Sequence, residues 1–427
     1  MTDTPNVEKA AKNFSLYLFF FCLIFAVLEI CSFFILRFNG VNPQFYPFTH
    51  IVSGYYVFKN TPGSSYIYEV KENPNDPPTI MGSDGFTSNN PVTLDKPEGT
   101  IRIFLMGGSA AVGTGQFPPY SKVYPYRHGP LSYSLGPAGQ LEHYLESKRP
   151  DLKFEVVNAA SVDRTLHQSM IYYLETVSRF NPDIVINMDG YNDLFYGMVS
   201  GRPYAELESR LEHYVNLINY VYAYKPNLLR LLEIGYNRYL REMVSDYLKE
   251  DFFYMVDMDQ EQYSFAVYKT VEKDFIRSSQ RFFQIMEHYM AVLKSDNVDF
   301  IFALQPMLYR QINKEWSEIE DKMRRTVFSM EPTAPPNEKT ISILMSKFFY
   351  DQYLSQNSRN RVEKNRFGFL DMNEKISHLK SDFELYIDYC HFTKEGSSKV
   401  AEILGIEVLK RLEKKQNLGL RPNPPGV

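Results

Sequence analysis

Ser109 follows an apolar run and two glycines, in the order Ile101-Arg102-Ile103-Phe104-Leu105-Met106-Gly107-Gly108-Ser109. A serine hydroxyl becomes a useful nucleophile only when a base takes its proton, and this segment holds none. Other readings of the glycines fail on the neighbouring residues. A phosphate loop needs Lys after Gly113, where Thr114 stands; a dinucleotide fingerprint needs a third glycine after Gly115, where Gln116, Phe117 and Pro118 follow. A plain turn stays open. Three further clusters carry polar side chains: Asn158-Ala159-Ala160-Ser161, Asp189-Gly190-Tyr191-Asn192-Asp193 and Asp388-Tyr389-Cys390-His391. His391 is a candidate base and Asp388 a candidate partner for its ring. Taken singly each cluster has an ordinary explanation. Gly-Tyr-Asn-Asp is good turn chemistry, and Asp and His three apart arise by chance.

The elements that must position these clusters alternate. Strand Ile101–Met106 is followed by a helix around Leu135–Lys148, strand Phe154–Val157, a helix around Leu166–Phe180 and strand Ile184–Met188. Later come strand Val298–Leu304, a helix near Thr340–Leu354, strand Phe367–Leu370 and a closing helix Lys394–Leu412. Such alternation predicts an α/β fold, a doubly wound parallel sheet in three layers. In open sheets of this type ligands gather beyond the carboxyl ends of the strands, where the polar clusters follow strands one, two and three.

Composition narrows the partners. The chain of 427 residues holds 46 basic and 51 acidic side chains without a long basic run, so nucleic acid is not expected. Cys22, Cys31 and Cys390 make no disulfide framework. The histidines show no metal-ligand spacing, and neither metal nor cofactor is expected. Phe14 to Leu36 carries Glu29 as its only charge. Its length suits a bilayer's hydrocarbon core, and no small-residue cleavage site follows it. The expected organisation is a cytoplasmic N-terminus (1–13), a single transmembrane anchor (14–36), a juxtamembrane extension (37–98), the α/β domain (99–412) and a disordered tail (413–427). Lys9 and Lys12 precede the span and only Arg37 closely follows it, which favours the N-terminus inside and the domain outside the cytoplasm. Residues 195–297 exceed what the sheet needs. Leu207–Tyr222, Asn227–Tyr247 and Phe275–Leu293 show helical apolar spacing, an elaboration that packs on the domain, caps its pocket or rests on the membrane.

Together, and in this order, the clusters resemble the SGNH hydrolase superfamily, the GDSL esterases and lipases. Gly107-Gly108-Ser109 is similar to the family's first block, Gly190-Tyr191-Asn192-Asp193 to its Gly-x-Asn-Asp block and Asp388-x-x-His391 to its last. The second block departs: Ala160 and Asp163 stand where the family usually has glycines. The resemblance implies a Ser109–His391–Asp388 triad and an oxyanion hole built from the N–H groups of Ser109 and Ala160 and the side-chain amide of Asn192. It implies an ester hydrolase, with an O-acyl ester of an extracytoplasmic glycan or lipid as the expected substrate. Acyl transfer would use the same residues, and a non-catalytic envelope assembly or binding protein on the same fold is the rival. Ala160 is expected at negative φ with its N–H in the cleft, and Asn158 is expected to fix that loop through its side chain.

Overall fold

The computed structural model describes residues 4–38, 50–53, 57–60, 79–116 except 83, 128–193 except 163, 228, 231–232, 280–308, 317–320 except 319, 367–377 and 384–417 except 389. The chain folds as two compact units, Met1–Phe48 with Leu217–Phe252, and Thr49–Asn216 with Phe253–Val427. Part of the sequence expected to elaborate the α/β domain therefore belongs to the unit that holds the N-terminal helix.

In the first unit, α1 (Thr4–Phe38) contains a stretch, Asn13–Ile35, long and apolar enough to cross a membrane. Its large apolar side chains, among them Phe14, Phe21 and Ile24, are exposed. A helix apolar on all sides suits a core or a bilayer rather than water.

The second unit is built on a sheet. A hairpin of β1 (His50–Ser53) and β2 (Val57–Asn60) precedes it, and β4 (Thr114–Gln116) pairs antiparallel with β5 (His128–Pro130). The main sheet comprises β3 (Thr100–Gly107), β6 (Lys153–Asn158), β7 (Ile184–Asp189), β8 (Asp299–Leu304) and β9 (Phe367–Asp371), in the order β6-β3-β7-β8-β9. All four pairings are parallel. β3, β7 and β8 are buried along their whole length, as strands covered on both faces must be. Alternate side chains separate the two cores. Ile103, Leu105, Ile186 and Ile301 join α3 (Pro137–Lys148) and α7 (Lys394–Asn417). Phe104, Met106, Val185 and Phe302 join α4 (Leu166–Glu175) and α5 (280–295) on the other face. This is the three-layer, doubly wound arrangement read from the sequence. The short helices α2 (Ser109–Val112) and α6 (Met372–Ser377) follow β3 and β9.

The order reverses between β3 and β7, and this switch point is where such sheets open a crevice. Two boundaries differ from expectation. The helix expected to run to Phe180 stops at Glu175, where Thr176 leaves helical dihedrals; a 3₁₀ turn Val177–Phe180 then ends at Asn181 with φ 49°. The closing helix runs on to Asn417, into the expected tail. The expected helices at 207–222 and 340–354, and all of 227–247 but Leu228, Leu231 and Leu232, lie outside the described residues.

Candidate active site

The site is built at the switch point. β3 ends at Gly107 with φ 138°, and a Cβ there would lie 2.1 Å from the Met188 carbonyl oxygen on β7. Glycine therefore lets the ends of β3 and β7 converge. Gly108 is extended, but its missing Cβ makes room for another group: an added one would stand 2.6 Å from Asn192 Nδ2. Ser109 follows, half-buried, as the first residue of α2. Among the described residues no acceptor takes its backbone N–H.

Asp388 and His391 come from a loop closed by the antiparallel bridge of Tyr386 with Phe392, in which the Ile387 N–H donates to the His391 carbonyl at 3.0 Å. Buried Glu320 anchors the loop by accepting the N–H groups of Leu385 and Tyr386 at 2.7 and 3.2 Å. Thr393 caps α7 by accepting the Gly396 N–H at 2.9 Å. The three-residue spacing folds the carboxylate back on its own loop. Asp388 Oδ1 accepts the N–H groups of Cys390 and His391 at 2.8 and 2.7 Å, and Oδ2 lies 2.7 Å from His391 Nδ1. Three N–H donors around one carboxyl suit its ionised form. Nδ1 then carries the ring proton, which leaves the Nε2 lone pair for Ser109 Oγ at 2.7 Å. Residues separated by 282 positions thus form one hydrogen-bonded chain. Cys390 Sγ lies 3.8 and 4.0 Å from the two ring nitrogens.

Asn192 Nδ2 donates to the Arg164 carbonyl at 3.0 Å and stands against Gly108. Asn158 fixes the second loop as expected. Its Nδ2 donates to the carbonyls of Ala111 and Val112 at 3.3 and 3.1 Å, and its Oδ1 accepts the Ala160 N–H at 3.0 Å. Ala160 is not at positive φ; among the described non-glycine residues only Asn181 and Asn297 are. The expectation that the Ala160 N–H opens into the cleft is corrected: the turn made by Asn158 takes it. Asp163 lies outside the described residues.

The sequence reading missed what lies behind Asn192. The Arg164 side chain is fully buried, donates through Nη1 to the Ala159 carbonyl and sits 4.2 Å over the Tyr172 ring. Asp193 accepts the Leu166 N–H at 2.9 Å at the start of α4. Asp189 accepts from Ser169 Oγ and Asn187 Nδ2 at 3.0 and 2.6 Å. Burial, and then the charge of Asp193, push the Asp189 carboxyl well above the usual carboxylate range. The signal available in the sequence was a basic residue directly before a Thr–x–x–Gln capping box, Thr165 to Gln168.

No family model matches the chain, and no curated protein does. Among solved structures it is similar to the acetyl xylan esterase AlAXEase, at 11% identity over 72% of this chain and 100% of that one, TM-score 0.36. It is also similar to Axe2, an acetylxylan esterase from Geobacillus stearothermophilus, at 14% identity over 72% and 93%, TM-score 0.35. A lipase/acylhydrolase from Enterococcus faecalis stands at 12% identity over 76% and 98%, TM-score 0.35.

Proposed function

We propose that this chain is a serine ester hydrolase of the SGNH type, held to a membrane by α1 with its α/β unit outside the cytoplasm. The observation that carries the reading is the continuous chain from Ser109 Oγ through His391 to Asp388, at 2.7 Å in each step. Ser109 Oγ attacks the acyl carbon while its proton passes to His391 Nε2, and Asp388 stabilises the imidazolium that forms. His391 returns that proton to the leaving alkoxide as the ester bond breaks. The acyl group on Ser109 is then released by water, with His391 again as base. The oxyanion is met by the Ser109 N–H and a free hydrogen of Asn192 Nδ2. The expected substrate is an O-acyl ester of a glycan or lipid, and a sugar hydroxyl replacing water would make the same residues an acyltransferase.

One observation favours the non-catalytic rival: the Ala160 N–H is occupied by Asn158 Oδ1. The relay weighs more, because an assembly scaffold has no need of a serine, an imidazole and a carboxylate aligned in hydrogen-bond contact. The test is a profile of the protein against short-acyl, long-acyl and acetylated-glycan esters, with and without an acceptor sugar, using Ser109→Ala as control. Turnover that Ser109→Ala abolishes is expected. Equal turnover by the two proteins, or none by either, would leave the rival standing.

A further inference from the structure

The one carboxylate of the apolar stretch in α1 is not left alone. Glu29 lies six residues before Ile35, hence about 9 Å inside that end of a membrane-spanning helix. It is half-buried, and its Oε2 accepts the backbone N–H of Leu228 at 2.9 Å. One turn away, Ser32 is 2% exposed on a helix whose other faces are open. Leu228 belongs to the stretch Leu217–Phe252, which forms one compact unit with Met1–Phe48. It is helical, as are Leu231 and Leu232, and Leu232 is 60% exposed.

Two needs meet in this contact. A carboxylate at that depth requires donors, and a backbone N–H requires an acceptor wherever water is excluded. A helical turn facing water would have solvent as acceptor and no use for a carboxylate about 9 Å inside the apolar stretch. We infer that the segment carrying Leu228, Leu231 and Leu232 enters the leaflet at the C-terminal end of α1, with Leu232 against the acyl chains of the phospholipids. The chain then holds the bilayer through two elements, the spanning helix and a turn of its own insertion. The inference rests on the reading of α1 as a membrane anchor, and the experiment separates the two.

Full-length protein with Cys22 and Cys31 replaced by serine is labelled with an environment-sensitive fluorophore at Leu232→Cys, or at Phe20→Cys, and reconstituted in phosphatidylcholine vesicles. Bromine on the lipid acyl chains should quench both labels several-fold more than aqueous iodide does. In the Leu232→Cys protein, adding Glu29→Leu should turn the label toward iodide, while Glu29→Gln, which keeps an acceptor oxygen, should leave it with the lipid. Iodide quenching at position 20 would refute the anchor. Lipid quenching at position 20 with iodide quenching, or shielding from both quenchers, at position 232 would refute only the inference. So would a label at 232 that ignores Glu29→Leu.

Discussion

Each end of the central sheet holds a fully buried arginine, and the two are used differently. At the amino end Arg102 lies in β3 with its Nε on Glu155 and its Nη1 on the carbonyls of Thr93 and Phe180 at 2.8 and 2.7 Å. Beside it Asp183 accepts the Arg102 N–H at 2.8 Å and both contacts of Lys96 at 2.6 and 2.7 Å. Glu155 and Asp183 each face a base there. At the carboxyl end Arg164 stacks on Tyr172 and donates to a carbonyl, while the two nearby acids, Asp189 and Asp193, repel one another. The amino end is arranged for stability. The carboxyl end holds like charges and buried polar groups behind Asn192, the pattern expected where a site is built.

The comparison breaks first where the largest effect is expected. Ser109→Ala or His391→Ala should lower ester turnover by at least about three orders of magnitude, with the melting temperature unchanged. Loss of folding in parallel with turnover would make this end structural too. Asn192→Ala should cost about 10²–10³ in kcat if its amide meets the oxyanion. Gly108→Ala should damage the same step without touching the nucleophile, because its Cβ would stand 2.6 Å from Asn192 Nδ2. A Gly108→Ala protein with wild-type kcat would show that Asn192 acts elsewhere. Arg102→Met should do the reverse, lowering stability by about 3 kcal/mol, since it leaves buried acceptors and a carboxylate without their cation. Its kcat, measured well below its melting temperature, should match the wild type.

Much of the carboxyl end was legible in the sequence, for physical reasons. Strands buried on both faces are near-continuous apolar runs, so Ile101–Met106 and Ile184–Met188 announced themselves, and Gly107 and Gly190 marked their ends. The Asp388 and His391 pair was legible because one loop carries both groups. Arg164 was not, since a charged residue between Asp163 and Thr165 looks solvated until the fold closes Tyr172 over it. Ala160 was half legible: its negative φ followed from its Cβ, and Asn158 was recognised as the residue that fixes the loop. That the same side chain would take the Ala160 N–H is a matter of which rotamer the packed loop selects, and local sequence does not determine that. What the insertion packs against was not legible, because apolar helical spacing looks alike whether a helix packs on a sheet, over a pocket or on a membrane.

The smallest effect tests the acids of the carboxyl end. Asp189 is raised by burial first and by Asp193 second, so the folded chain holds a proton there that the unfolded chain releases near pH 3.9, roughly the ordinary aspartate value. Its contribution to stability is fully present below that pH and is lost as pH climbs toward the raised folded value. Asp189→Asn removes the titration and keeps an oxygen that can accept from Ser169 and Asn187, the two bonds the carboxyl now makes. The variant's melting temperature should therefore gain on the wild type as pH rises from about 4 to about 8. Parallel melting curves for Asp189→Asn and wild type would mean that Asp189 is ionised in the folded chain, and the contrast between the two ends of the sheet would not extend to their acids.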